Sequence, residues 1–306
     1  MPTGHAAASA HIAVVTLGGV PRGSVYAMRK LRSVASAHLL KRWIARLRSV
    51  PYDLRDALLY KGTPPIPPRW GRMLVGDDSF NETGQLLMKD LLEFAHLRPH
   101  ENVLDLGCGF GRVAIPLTEY LSATARYDGV DVVPDAVSWC RRNIEHLHPG
   151  FRFHYADLAN TMYNPTGTVQ AADYEFPCQD GSVDLVFATS LFTHMLPADV
   201  TQYLRQSARV LSPQGRLLAS FFVLDDCAWE LVHRPGHGFP FVHEMAGAYV
   251  VDPRLPEAAV AYREQDLLAM LDSAGLELKA PIRYGEWSGR ADGSWGQDTV
   301  VAALAE

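Results

Sequence analysis

The chain has 306 residues, enough for one large domain with an appended segment. Hydrophobic residues make up 48% and charged residues 20%, as in a globular protein that buries its core without disulfides or a structural metal. The cysteines form no CxxC pair, which excludes a local zinc ribbon or dithiol motif and favours a reducing compartment; they are Cys108, Cys140, Cys178 and Cys227.

Charge is distributed unevenly along the chain. Residues 1–52 carry eight Lys or Arg and no Asp or Glu, which leaves 20 basic and 34 acidic side chains for the rest. Two interpretations stay open: contact with a membrane surface or another anionic partner, or a helix whose arginines are solvated or paired with the acidic body. The apolar run at residues 12–20 is too short to span a bilayer and lacks preceding basic residues, so we expect a cytoplasmic location.

The N-terminal part differs in pattern from the rest of the chain. Apolar side chains recur at helical spacing over residues 24–50, with arginines between them. Four prolines then predict a stiff connector, because proline fixes φ and cannot donate to a strand ladder; they are Pro64, Pro65, Pro67 and Pro68. We therefore predict a basic helical extension with a proline-rich connector over residues 1–68, and a second domain over residues 69–306.

The second domain alternates strands with helices. Buried strands are predicted near residues 103–106, 127–132, 151–155, 183–188 and 216–224. Such alternation predicts parallel pairing with right-handed crossovers, hence an α/β doubly wound sheet. Two more strands, near 276–284 and 298–303, have no helix between them, so the last strand is predicted to be antiparallel. We expect the long segment at about residues 225–262 to cover the substrate.

A glycine-rich turn comes directly after the first of these strands. Gly107, Gly109 and Gly111 form GxGxG, whereas a dinucleotide dehydrogenase would show GxGxxG. Asp105 lies on the strand two residues before the first glycine. A carboxylate there would repel a pyrophosphate but could accept hydrogen bonds from an ammonium group, which favours a ligand with an amino-acid end.

Two further carboxylates come at the ends of the next two strands. Asp131 ends the second strand, 20 residues after Gly111, where an acidic side chain can hold both hydroxyls of a ribose. Asp157 follows the third strand and could accept from an adenine amino group beside the Leu158 backbone. Aspartates also cap turns and helices, but three in this order after this loop predict one nucleoside crevice.

These motifs resemble those of the class I S-adenosylmethionine-dependent methyltransferases. VLDLGCGFGR is similar to the first motif of that family, GVDVV to its acidic second strand and YADL to its adenine-side motif. The resemblance covers residues 84–224 and implies a seven-stranded, mostly parallel sheet with an antiparallel last strand. One departure is Pro116, which removes a helical hydrogen bond unless it falls in the first turn of its helix.

The resemblance also implies a cofactor and its ligands. The cofactor is S-adenosyl-L-methionine, with Asp105 and Gly107 at its methionine end, Asp131 at the ribose, and Asp157 with Leu158 around the adenine. The full implied cofactor-binding set is Asp105, Gly107, Cys108, Gly109, Gly111, Asp131, Val132, Asp157, Leu158 and Ser190.

The catalytic residue is less clearly indicated, because methyl transfer from a sulfonium requires mainly alignment of the acceptor. His194 follows the fourth strand and is our candidate for a general base or an acceptor-orienting group; a histidine that packs locally is the alternative. Asp225 and Asp226 follow the fifth strand, but adjacent aspartates generally diverge, so we predict no metal site.

We therefore predict a methyltransferase for a small-molecule acceptor, with O-methylation of a metabolite, sugar or lipid-linked compound as the first hypothesis. N- or C-methylation, a nicotinamide-dependent oxidoreductase and a non-catalytic cofactor-binding protein remain as alternatives. A nucleic-acid substrate is disfavoured by the acidic body and by the absence of Asn-Pro-Pro-aromatic after the fourth strand. The sequence does not indicate an oligomeric state.

Overall fold

The computed structural model describes residues 47–56, 58, 66–75 and 79–306. The predicted extension up to residue 46 and Pro64 and Pro65 lie outside the described residues. Residues 47–56 are helical. The later helices are α1 (Arg69–Val75), α2 (Phe80–Glu93), α3 (Ala114–Tyr120), α4 (Pro134–Cys140), α5 (Pro197–Val210), α6 (Asp226–Val232) and α7 (Glu264–Ser273). None of the described helices is long and apolar enough to cross a membrane.

A seven-stranded sheet forms the centre of the molecule, as predicted. Its strands are β1 (Val103–Leu106), β2 (Tyr127–Asp131), β3 (Phe151–Tyr155), β4 (Val183–Ala188), β5 (Leu211–Phe221), β10 (Leu276–Leu278) and β11 (Asp298–Leu304). Their spatial order is β10-β11-β5-β4-β1-β2-β3. The pairs among β1 to β5 are parallel, and β11 is antiparallel to both of its neighbours. This confirms the predicted α/β fold with its antiparallel last strand.

The central strands show no alternation of buried and exposed residues. Every residue of β1 and β2 is buried, because helices cover both faces of the parallel sheet. One core lies on each face, with Leu104 and Val186 in the first and Val103 and Leu185 in the second. Alternate residues of a strand thus enter opposite cores.

A second sheet was not predicted. It has four strands in the order β6-β9-β8-β7: β6 (Val223–Leu224), β7 (His243–Met245), β8 (Ala248–Val250) and β9 (Val260–Arg263). Strands β7 and β8 and most of β9 lie within the predicted insertion, and the sheet packs around a third apolar cluster that contains Phe222, Phe241 and Trp287. Strands of two to four residues are too short to show a period of two in the sequence.

Several element boundaries also differ from the predictions. The strand predicted at residues 276–284 ends at Leu278. Directly after α4, residues Arg141–Glu145 form a π-helical turn. Pro116 is the third residue of α3 and so lies in its first turn, where a missing N–H costs no intrahelical bond.

Candidate active site

The predicted cofactor and catalytic residues gather at one edge of the main sheet. Because β1 to β4 are parallel, their carboxyl ends meet at the same edge. The glycine turn follows β1, Asp131 ends β2, Asp157 follows β3, and Ser190 and His194 follow β4. The sheet topology therefore brings segments that are far apart in sequence to a single edge.

The turn after β1 can form only because of its glycines. Gly107, Gly109 and Gly111 have φ of 80°, 52° and 75°, in the left-handed region that favours glycine. A Cβ on Gly111 would also lie 2.6 Å from the Ile144 side chain in the π-helical turn. Gly107 is exposed at this edge, whereas Cys108, Gly109 and Gly111 are buried, so cofactor binding by Cys108 stays a prediction.

Asp131 holds this loop in place from the neighbouring strand. Its carboxylate accepts hydrogen bonds from the backbone N–H of Gly109 at 2.7 Å and of Val133 at 2.8 Å. Burial raises the pKa of this carboxyl, against the lowering effect of the N–H groups around it. Val132, next in the chain, is half-buried against the core. A carboxylate has about four acceptor positions, so Asp131 retains capacity for sugar hydroxyls.

The carboxyl of Asp105 is buried and lies beside a side chain of the neighbouring strand β2. Its side chain is 2% exposed, and the Tyr127 hydroxyl donates to its Oδ2 at 2.5 Å. Burial raises the pKa of this carboxyl to about 7, Tyr127 and Arg112 lower it, and Asp131 raises it. The predicted contact of Asp105 with an ammonium group stays a prediction.

Asp157 organises the segment after β3. Its carboxylate accepts from Thr168 Oγ1 at 2.7 Å and from the Tyr155 hydroxyl at 2.8 Å, and these bonds lower the pKa of the carboxyl. Leu158 is buried, and its N–H donates to the carbonyl of Ala156 at 2.8 Å. Adenine recognition by Asp157 and Leu158 remains a prediction.

Ser190 has an unusual backbone conformation at the end of β4. Its φ of 56° is in the left-handed region, which costs free energy in a residue other than glycine and is most often found at functional sites. The Ser190 N–H donates to Ser220 Oγ at 2.7 Å. Both serine hydroxyls donate to Gln297 Oε1, at 3.1 Å from Ser190 and 2.7 Å from Ser220. The side chain of Ser190 is thereby directed along the sheet edge.

His194 ends a short 3₁₀ turn, Phe192–His194, beyond β4. Its Nδ1 lies 2.9 Å from the backbone carbonyl oxygen of Glu257, and its ring packs roughly perpendicular to that of Tyr163, with 5.9 Å between centroids. The hydroxyl of buried Tyr262 donates to the carbonyl of Met195 at 2.5 Å. The turn that carries His194 is therefore held by both the second sheet and the insertion.

Several residues at this edge were not identified from the sequence. They are Thr161, Tyr163, Ser220 and Glu257. Each meets its partner across 30 to 96 positions of sequence, so no local spacing marks them. The only available signal is indirect: Gln297, the partner of Ser220, directly precedes a predicted strand.

Asp225 and Asp226 diverge, as expected for adjacent residues in a turn. Asp225 caps α6 by accepting from the Ala228 N–H at 2.8 Å and pairs with Arg290 at 2.5 Å. Asp226 is fully exposed. Among the described residues, no group of three or more His, Cys, Asp or Glu is arranged to hold a metal ion.

The fold and the glycine turn define the class of protein. Residues 103–215 match the model of a family described as "Methyltransferase domain". With the seven-stranded sheet, this match establishes that the chain contains a class I S-adenosylmethionine-dependent methyltransferase domain. It also decides against the nicotinamide oxidoreductase alternative.

Particular relatives carry the comparison further. The chain is 31% identical over 159 residues to methyltransferase GfsG from Streptomyces halstedii, covering 51% of each chain. It is 34% identical over 129 residues to 27-O-demethylrifamycin SV methyltransferase from Amycolatopsis mediterranei, covering 42% of this chain and 41% of that protein. The chain thus spans about half the length of these curated relatives or less.

A solved structure supports the fold alone. The structure of the mitomycin 7-O-methyltransferase MmcR aligns with a TM-score of 0.53 and 16% identity, covering 92% of this chain and 72% of that one. The alignment extends well beyond residues 103–215, so the likeness includes parts of the chain outside the family match.

Proposed function

We propose that the protein transfers a methyl group from S-adenosylmethionine to a hydroxyl oxygen of a small natural product. The proposal is carried by one arrangement: a positive-φ glycine turn tied to the Asp131 carboxylate, at the same sheet edge as His194. The name of the Amycolatopsis relative supports a hydroxyl of a natural product as the acceptor.

The residues at the sheet edge fit the cofactor. Gly107, directly after β1, is exposed at this edge and has a positive φ, so the turn presents backbone there without a side chain. Asp131 would hold the ribose hydroxyls with its remaining acceptor positions, and the carboxylate of Asp157 would face the adenine end. The Asp105 carboxyl is buried against Tyr127, so the methionine end would meet the backbone of Gly107. When bound, S-adenosylmethionine supplies a methyl group already activated by its sulfonium.

The chain itself has to align the acceptor and remove a proton. A hydroxyl oxygen is a weak nucleophile until its proton is taken, and a positioned histidine contributes roughly 10²- to 10⁴-fold by doing so. We assign this role to Nε2 of His194, because Nδ1 faces a carbonyl oxygen. A neutral amine would need no such base, so the placement of His194 favours an oxygen acceptor over nitrogen.

Calorimetry with S-adenosylhomocysteine tests the proposal. We expect wild-type protein to bind it and Asp131→Ala to bind it about 10- to 100-fold more weakly, because hydrogen bonds to a charged group contribute roughly 1.5–3 kcal/mol. Asp173→Ala, at an exposed aspartate, is the matched control and should bind like wild type. Failure of well-folded wild-type protein to bind the probe would refute the proposal.

A further inference from the structure

Glu257 makes contacts to two separate parts of the candidate site. It lies in a short 3₁₀ turn, Pro256–Ala258, within the insertion. Its backbone carbonyl faces His194 Nδ1 at 2.9 Å. Its carboxylate accepts from the Thr161 N–H at 2.9 Å and also from the Thr161 hydroxyl. One residue therefore joins the candidate base to the segment after β3.

The contact with the carbonyl determines the tautomer of His194. A carbonyl oxygen only accepts hydrogen bonds, so Nδ1 must carry the proton, and the lone pair of the neutral ring is on Nε2. The Tyr163 ring fixes the plane of the imidazole from a second side. Both contacts come from outside the Phe192–His194 turn, so the placement of the ring depends on segments that the turn does not contain.

The segment after β3, residues 157–169, is itself a folded unit. Asn160 Oδ1 accepts from the N–H groups of Met162 and Tyr163, and the Thr168 hydroxyl bonds to Asp157. Its first residues adjoin the strand end that carries Asp131, because the Ala156 N–H donates to the Asp131 carbonyl at 3.0 Å. The segment thus extends from the nucleoside end of the crevice to Glu257.

We propose that Glu257 is a positioning residue that couples occupancy of the nucleoside end of the crevice to the placement of His194. The proposal rests on the proposed function, since it takes an adenosine-containing cofactor as the ligand of that end. A ligand that contacts Asp157 and Leu158 shifts or rigidifies residues 157–169. Thr161 transmits this change to the Glu257 carboxylate, and the Glu257 backbone transmits it to Nδ1 of His194.

Both contacts of Thr161 use the same oxygen, Oε2 of Glu257, which provides a matched pair of variants. Glu257→Gln retains a side-chain oxygen that can accept both bonds. Glu257→Leu removes the acceptor but keeps the backbone carbonyl. Only the leucine variant should interrupt the coupling.

The experiment is nitrogen-detected NMR of the histidine rings, with the His194 signals assigned from His194→Gln. We expect wild-type protein to show the Nδ1–H tautomer at His194 and a shift of its ring signals when S-adenosylhomocysteine is added to saturation. In Glu257→Leu this shift should fall to less than half, and in Glu257→Gln it should persist. Thr161→Val, which removes only the hydroxyl donor, should reduce the shift partially and serves if the leucine variant does not fold.

The outcomes separate this inference from the proposed function. If Glu257→Leu or Thr161→Val binds S-adenosylhomocysteine and His194 responds as in wild type, the coupling is refuted while the proposed function stands. An Nε2–H tautomer in wild-type protein would refute it as well. If wild-type protein does not bind S-adenosylhomocysteine, both the proposed function and the coupling that rests on it are refuted.

Discussion

At the scale of single residues, the buried Asp105 carboxyl, two residues before the glycine turn, makes the stability of the fold depend on pH. Burial raises its pKa to about 7 from an ordinary value of 3.8. Between these values the folded protein keeps a proton that the unfolded chain releases. The stability from this group is therefore present at low pH and is lost as the pH rises towards 7.

This gives a prediction for Asp105→Asn. The amide can still accept from the Tyr127 hydroxyl, but it does not titrate. We expect the free energy of unfolding of wild-type protein to fall between pH 5.5 and 7, and the variant to remove about 2 kcal/mol of that fall. Urea unfolding at a series of pH values measures the difference. Equal slopes for the two proteins would contradict the assignment.

His194 gives a second prediction at this scale. If its Nε2 accepts the hydroxyl proton, His194→Ala should lower kcat about 10²- to 10⁴-fold. The affinity for S-adenosylhomocysteine should stay within about two-fold, because the alanine variant leaves the glycine turn intact. The measurement is methyl transfer from radiolabelled S-adenosylmethionine to hydroxyl-bearing natural products, with 27-O-demethylrifamycin SV as the first. An unchanged kcat would show that His194 packs locally and does not accept the proton.

At the scale of elements, two helices before the sheet press directly on the glycine turn. A Cβ on Gly71 of α1 would lie 2.7 Å from the Phe110 ring, and a Cβ on Gly84 of α2 would lie 2.2 Å from the Arg112 carbonyl oxygen. Phe110 and Arg112 belong to the turn or come directly after it. The position of the glycine turn thus depends on helices that precede the family match.

Gly84→Ala tests this dependence. Alanine favours a helix over glycine by about 1 kcal/mol, so an exposed site would gain stability. Here the contact with backbone should prevail, and we expect a net loss of about 1–3 kcal/mol, as for overpacked sites, together with weaker binding of S-adenosylhomocysteine. Gln85→Ala, exposed in the same helix, is the control. A more stable Gly84→Ala protein would show that α2 can shift freely.

The segment before α1 is attached in a similar way. The Arg69 N–H donates to the Asp53 carboxylate at 2.7 Å, and Arg72 pairs with Asp56 at 3.0 Å. These bonds join residues on the two sides of the predicted boundary at residue 68. Residues before the boundary therefore contact α1, and α1 packs on Phe110. Membrane contact by the basic residues before it remains a prediction.

At the scale of the whole molecule, Asp298 joins the two sheets. It begins β11 and accepts from the Val223 N–H of β6 at 2.6 Å, the Gly285 N–H at 2.6 Å and Trp287 Nε1 at 2.8 Å. Its side chain is 1% exposed, and burial raises the pKa of the carboxyl to about 7. Three donors from separate segments therefore meet at one carboxylate.

Asp298→Ala should consequently be among the more damaging substitutions. It leaves three buried donors without their acceptor, and each such group costs about 1–3 kcal/mol, so we expect a loss of about 3 kcal/mol or more in the free energy of unfolding. Asp272→Ala, at an exposed aspartate, should change it by less than about 0.5 kcal/mol. Chemical denaturation of both variants makes the comparison, and similar midpoints would refute the role of Asp298.

Local sequence patterns were sufficient to predict the main sheet and the glycine turn. The buried parallel strands are short, mostly apolar segments that alternate with helices, and the turn after β1 requires glycine at Gly107, Gly109 and Gly111, so both leave local signals. The positions of Asp105, Asp131 and Asp157 follow from the strands, because each residue lies on a strand or directly after one. His194 was expected at the same edge for the same reason, since it follows β4, and its catalytic role remains a prediction.

The way these residues are held was visible only once the chain was folded. The tautomer of His194 depends on a carbonyl 63 residues away, and the glycine turn is packed against Gly84 of α2. The second sheet was missed because its strands of two to four residues are stabilised by pairing across the insertion and not by their own pattern. Such contacts are non-local: their free energy depends on which segments the fold brings together, and residue spacing along the chain does not carry that information.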